Sequence, residues 1–132
     1  MTKTALIVDD STTMRRMIGL TLREAGFTVV EGANGQEGLR QLEGAPVDII
    51  ITDVHMPVMD GLSMVQAVRQ REDNRFTPIL ILTTEKSDEM KQRGKQAGAS
   101  GWIVKPFNPG QLHEVVCRLL NLPHESTEAP RL

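Results

Sequence analysis

The sequence predicts an α/β fold, a doubly wound (βα)5 three-layer sandwich built on a parallel five-stranded sheet. Two observations predict it. Five short apolar runs recur along the chain, and a stretch with helical spacing follows each one. Most of the runs are continuously hydrophobic instead of alternating, which marks strands covered on both faces, as in a parallel sheet. Right-handed crossovers between such strands place helices on both sides.

The first run, residues 5–8 (ALIV), ends on Asp9-Asp10. After it, Met14, Met17, Ile18, Leu22 and Ala25 keep helical spacing, with Ser11 suited to the N-cap and Gly26 to the stop. The second run is 27–30 (FTVV), with a weaker helix around 35–43. The third, 49–51 (III), enters Thr52-Asp53, and a weaker helix fits around 61–71. The fourth, 79–82 (ILIL), ends in Thr83-Thr84-Glu85. The stretch 86–97 has little apolar stripe and holds Gly94, so it is the least convincing helix; a weakly anchored element is easier to move. The fifth run, 102–104 (WIV), ends in Lys105-Pro106, and Leu112, Val115, Val116, Leu119 and Leu120 give the last helix its stripe. Residues 121–132, NLPHESTEAPRL, lack periodicity and read as a flexible C-terminal tail, which leaves 1–120 as one domain.

Composition excludes several function classes. Net charge is −2, from 15 basic and 17 acidic residues, which gives no electrostatic case for nucleic acid or an anionic membrane. The only cysteine is Cys117, so no intramolecular disulfide forms, and the bland reading is a small buried residue. The apolar run near the N-terminus is too short for a signal peptide, and no stretch approaches the roughly 18 apolar residues of a membrane span. A cytoplasmic protein is the expectation.

The segment IIITDVHMPVMDG, residues 49–61, poses the functional question. Burying an ionised carboxylate is costly unless something pairs with it, yet Asp53 closes an apolar strand. In open parallel sheets ligands bind outside the carboxyl ends of the strands. Those ends carry Asp9-Asp10, Asp53, Thr83 and Lys105. Each is weak evidence alone: an Asp pair is often a turn or cap, a Thr often only strand propensity, a Lys before Pro often a solvated loop residue. Together they predict a polar cluster on one rim. Neighbouring carboxylates repel, and shared protonation or a divalent cation relieves them. Oxygen ligands without a Cys or His cluster favour Mg²⁺, and an Asp carboxylate can itself take up phosphate, with Lys105 and Thr83 stabilising the transferred charge.

The segments VDDSTTMRRM, ITDVHMPVMDG, ILTTE and WIVKPF together resemble the receiver domain of two-component response regulators, the chemotaxis type in particular. The resemblance covers residues 4–120 and implies the flavodoxin-like, CheY-like version of the fold. It implies that Asp53 is the phosphoacceptor. Asp10 would be the direct magnesium ligand, Asp9 would act largely through water, and Asp53 and the backbone carbonyl of His55 would be further ligands. Thr83 would be the switch hydroxyl, Trp102 the switch aromatic and Lys105 the family's lysine, with a cis bond to Pro106. His55 and Glu85 stand where the family tunes the lifetime of the phosphoryl group. A histidine kinase would donate the phosphoryl group. Thr83 would move toward it, Trp102 would rotate inward, and a partner would read the face made by residues 86–120. The flagellar switch is one such partner, although Asp88, Lys91 and Val115 replace that mode's contact residues. A phosphate sink or a relay to another regulator are the alternatives. The expected protein is a monomer with no catalysis beyond self-phosphotransfer and autodephosphorylation.

Two rivals share parts of this set. A small phosphatase with an Asp nucleophile wants an acid two residues on, where His55 stands. A flavin mononucleotide carrier needs a phosphate-cradling loop after the first strand, where Asp9-Asp10 would repel it. His55, His113 and His124 lack metal-ligand spacing, and KQRGKQ (91–96) reads as a solvated helix face.

Overall fold

The computed structural model describes residues 2–123, so the expected tail lies outside the described residues from 124 onward. The elements alternate as expected. They are β1 (Thr4–Val8), α1 (Thr12–Glu24), β2 (Thr28–Gly32), α2 (Gly35–Gly44), β3 (Ile49–Thr52), α3 (Gly61–Gln70), β4 (Ile79–Thr83), α4 (Asp88–Ala97), β5 (Gly101–Val104) and α5 (Pro109–Leu119). One 3-10 turn, Glu72–Asn74, was not expected. All five strands are parallel, in the order β2-β1-β3-β4-β5.

Polar caps fix where all five helices begin relative to the strand ends. Ser11, Asn34, Asp60 and Ser87 each accept a hydrogen bond from the backbone N–H three residues on, and Asn108 does the same for α5. Helix α1 stops at Gly26, whose φ is 97°. Helix α5 ends one residue short of the expected boundary. The Leu122 N–H still donates to the Cys117 carbonyl at 2.8 Å, and Leu122 packs on the core, so ordered packing runs past residue 120.

The strand order explains the layers. β1 steps to β2 in one direction and every later crossover steps the other way, so right-handed connections put α1 and α2–α4 on opposite faces. One core joins Ile7, Ile49, Ile51, Leu80 and Leu82 to Ile18 and Leu22 of α1 and to Leu112 and Val116 of α5. The other joins Leu6, Val8, Ile50 and Ile79 to Leu42, Met64, Val65 and Val68. Cys117 is buried as a small apolar residue. Helix α4 is the least anchored, with only Gly94 and Ala97 buried. The crossovers reverse direction between β1 and β3, and Asp9 and Asp53 follow these two neighbouring strands.

Candidate functional site

Lys105 organises the rim. Its ammonium lies 2.7 Å from Asp53 Oδ2 and 3.0 Å from Asp9 Oδ2, with the lysine side chain 11 % exposed and the two carboxylates 12 % and 2 %. It reaches in from the turn after β5, at a cis Lys105-Pro106 bond. The backbone fixes both acids. The Asp9 N–H donates to the Gly32 carbonyl and the Asp53 N–H to the Val8 carbonyl, both at 3.1 Å. The Ser11 N–H donates to Asp9 Oδ1 at 2.9 Å, and the N–H groups of Val54 and His55 donate to Asp53 Oδ1 at 2.5 and 3.3 Å.

These contacts decide protonation. Burial alone would push the Asp53 carboxyl up. Hydrogen bonds from Lys105 and Thr83, the Lys105 charge and the Val54 N–H outweigh it, and the carboxyl sits below its ordinary value. Burial would lower the Lys105 ammonium, but Asp53 and Asp9 hold it above its ordinary value. The pair is therefore fully charged near neutral pH.

The three aspartates were expected as one cluster, and here the structure differs. Asp9 and Asp53 share Lys105, whereas Asp10 is exposed. Among the described residues, no three His, Cys, Asp or Glu side chains are grouped to hold a metal ion. Lysine is thus a third remedy for the repulsion, beside a shared proton and a cation. The all-oxygen donors at this rim, carboxylates and backbone carbonyls, still fit Mg²⁺, which accepts one or two carboxylates and keeps several waters.

The remaining expected residues frame the mouth. Thr83 is fully buried, and its Oγ1 accepts from the Glu85 N–H at 3.3 Å. The His55 imidazole meets Glu85 Oε1 at 2.8 Å, which bridges the turns after β3 and β4. The Trp102 indole N–H donates to the Glu85 carbonyl at 2.9 Å, and its ring packs beside Val54, Leu62 and Ile81. Glu85 is therefore held from both sides, by His55 through its carboxylate and by Trp102 through its backbone.

Two glycines make room here. A Cβ at Gly94 would lie 2.5 Å from the Trp102 ring, so the residue that weakens α4 is the one that admits the indole. A Cβ at Gly61 would fall on the carbonyl oxygen of Asp53. Val58, two residues before Asp60, has a φ of 70°, a left-handed conformation unusual for a β-branched residue, and the Met59 N–H closes the turn onto the Pro57 carbonyl at 2.7 Å. His113 lies on α5, and His124 is outside the described residues.

The geometry of the rim becomes decisive beside known proteins. A family model described as the response regulator receiver domain matches residues 5–117. The chain is a response regulator receiver domain. This receiver is 39 % identical over 112 residues to the chemotaxis protein CheY of Pseudomonas aeruginosa, covering 84 % of this chain and 90 % of that protein. The solved structure of the Vibrio cholerae chemotaxis protein CheY4 superposes with a TM-score of 0.87 at 49 % identity, covering 90 % of this chain and 99 % of that one. The receiver domain of a sensor histidine kinase from P. aeruginosa superposes at 0.84 with 29 % identity, over 92 % and 99 % of the two chains. Its structure is described with a magnesium ion in the active-site cleft. Receivers are regulatory phosphoacceptors and not enzymes in the usual sense. No described helix of this receiver is long and apolar enough to cross a membrane.

Sequence reasoning missed Arg15. Its guanidinium donates to the Asp9 carbonyl at 2.6 Å and to Glu31 Oε1 at 3.2 Å. In the sequence it is one of two adjacent arginines on a helix, a pattern that ordinarily marks a solvated face.

Proposed function

We propose that Asp53 accepts the phosphoryl group, and the observation that carries this is its place on the shared Lys105 ammonium. A carboxylate oxygen of Asp53 forms the new O–P bond as the P–N bond of a kinase phosphohistidine breaks, and the electron pair stays on the departing imidazole nitrogen. The lowered pKa of Asp53 keeps this oxygen ionised and available as a nucleophile. The Lys105 ammonium supplies fixed positive charge beside the phosphoryl oxygens. Asp9, Asp10 and Asp53 with the His55 backbone carbonyl would hold Mg²⁺, whose chemistry here is to neutralise charge on the phosphoryl group. Loss of the group to water is self-hydrolysis, and the His55–Glu85 bridge over the mouth governs its rate.

The switch runs through the turn after β4. The Thr83 hydroxyl turns toward the new phosphoryl oxygens and releases the Glu85 N–H that it now accepts. Because Trp102 is bound to the carbonyl of Glu85, a shift of that turn moves the indole and with it the weakly anchored α4. Phosphorylation biases this two-state element and so presents the 86–120 face to a partner. The names of its relatives support a place in chemotaxis signalling, in the cytoplasm, with a histidine kinase as donor and the flagellar switch as one candidate reader.

Trp102 is the only tryptophan and the chain has no tyrosine, so its fluorescence reports the switch without interference. Acetyl phosphate with Mg²⁺ is expected to change the emission of the wild type and leave Asp53→Asn unchanged. The signal then decays as the donor is exhausted, at a rate that differs in Glu85→Ala. Equal responses in wild type and Asp53→Asn would remove Asp53 from the switch, and equal decay in Glu85→Ala would remove the bridge from lifetime control.

A further inference from the structure

The peptide that joins Asp9 to Asp10 is held from outside the rim. Its carbonyl, that of Asp9, lies just beyond the end of β1, where the strand's ladder with β3 has closed at Val8 and Thr52. A carbonyl in that position needs another donor. Arg15 provides it, with Nη1 at 2.6 Å, and its side chain is only 17 % exposed. The guanidinium is itself oriented: Nε donates to Glu31 Oε1 at 3.2 Å, and Glu31 stands on β2 next to Gly32, whose carbonyl takes the Asp9 N–H. Arg23 donates to the other oxygen of Glu31 at 3.4 Å. Both peptide groups of Asp9 are thus anchored to one short stretch of β2, one directly and one through Arg15.

This arrangement differs from an ordinary surface ion pair. An exposed pair contributes little, whereas here the largely buried guanidinium of Arg15 is placed on the Asp9 carbonyl. What the pair fixes is the plane of the Asp9–Asp10 peptide, and that plane, together with φ of Asp10, sets the direction in which the Asp10 side chain leaves the backbone. We propose that Arg15, oriented by Glu31, is a positioning residue that holds the Asp9–Asp10 acid pair for binding of a divalent cation. The proposal rests on the Mg²⁺ reading given above. Groups that orient metal ligands from behind typically change affinity by about 10- to 100-fold when removed.

Charge gives the opposite sign, which makes the proposal testable. Deleting a nearby positive charge should tighten Mg²⁺ binding if Arg15 acts only through its field. Deleting a positioning group should weaken it. Isothermal titration of the full chain with MgCl₂, without phosphodonor, reads this directly. Arg15→Met is expected to weaken Mg²⁺ binding about tenfold or more. Arg15→Lys, which keeps the charge and loses the fork, is expected to weaken it by a smaller factor, and it serves if the Met variant fails to fold. In the Arg15→Met background, Glu31→Gln should add less than it does alone.

Unchanged or tighter binding in Arg15→Met would overturn the proposal, as would a lowered melting temperature with Mg²⁺ affinity intact. Additive effects of the two substitutions would remove Glu31 from the device. A wild type that binds no Mg²⁺ would instead overturn the metal reading itself.

Discussion

Replacing Lys105 with methionine is expected to cost about 3 kcal/mol of stability, because it strips the partner from two carboxylates that are almost out of solvent. The hydrocarbon stem is kept and the charge is not. Asp9 and Asp53 would then face each other across the vacated position as like charges with no cation between them. The pH dependence follows from the two shifts. Asp53 has a lowered folded value, so its share is present above the unfolded carboxyl value and is lost as pH falls through the folded one. Lys105 has a raised folded value, so its share is present below the unfolded ammonium value and is lost as pH rises through the folded one. The gap between wild type and variant is therefore widest between the carboxyl and ammonium ranges and narrows at both extremes. Urea unfolding across both ranges measures it. Phosphorylation by acetyl phosphate should fall about 100-fold, or ~2.7 kcal/mol of barrier, as expected for the loss of a fixed charge beside the transferred group. A variant as stable and as fast as the wild type would mean that the ammonium is incidental to the rim.

The second large effect needs no change of charge. Gly61→Ala places a methyl on the carbonyl oxygen of Asp53, with the Asp53 carbonyl carbon at 2.9 Å and Val54 Cα at 3.0 Å behind it. All of these atoms are backbone, so no flexible side chain can yield. The Gly61 N–H also donates to the Val54 carbonyl at 2.8 Å, which ties the start of α3 to the turn that carries the acceptor. The loop must therefore open, at a cost of about 2–3 kcal/mol. Because the clash falls on Asp53 itself, its carboxylate moves off Lys105, and a misplacement near 1 Å can cost about 100-fold in rate. Gly44→Ala is the matched control, since nothing lies within 4 Å of its added Cβ. Thermal unfolding and phosphorylation rates of the two variants measure the contrast. Equal behaviour would show that the acceptor turn tolerates being opened.

The parts of this receiver that can be read from the sequence are those carried by local pattern. Continuous apolar runs gave the strands, and Ser11 caps α1 as its side chain favours. The chemical groups of the rim were legible because a parallel sheet sends all its carboxyl ends one way. What was hidden depends on distant packing. Gly94 looked like a defect in α4 until Trp102 was seen to lie against it. The contact of Asp9 with Lys105 was hidden as well: successive residues leaving a strand point in different directions, and only Asp9 turns in to Lys105. Arg15 was hidden because its partners, the Asp9 carbonyl and Glu31, are a backbone atom and a residue of another strand. Val58 was hidden because nothing in a valine suggests φ of 70°.

Intact-mass analysis after incubation with acetyl phosphate, with and without Mg²⁺, tests the central claim most directly. Wild type should gain a single phosphoryl adduct that requires Mg²⁺, and Asp53→Asn should gain none. An adduct of the same yield on Asp53→Asn would place the acceptor elsewhere and contradict the role assigned to Asp53.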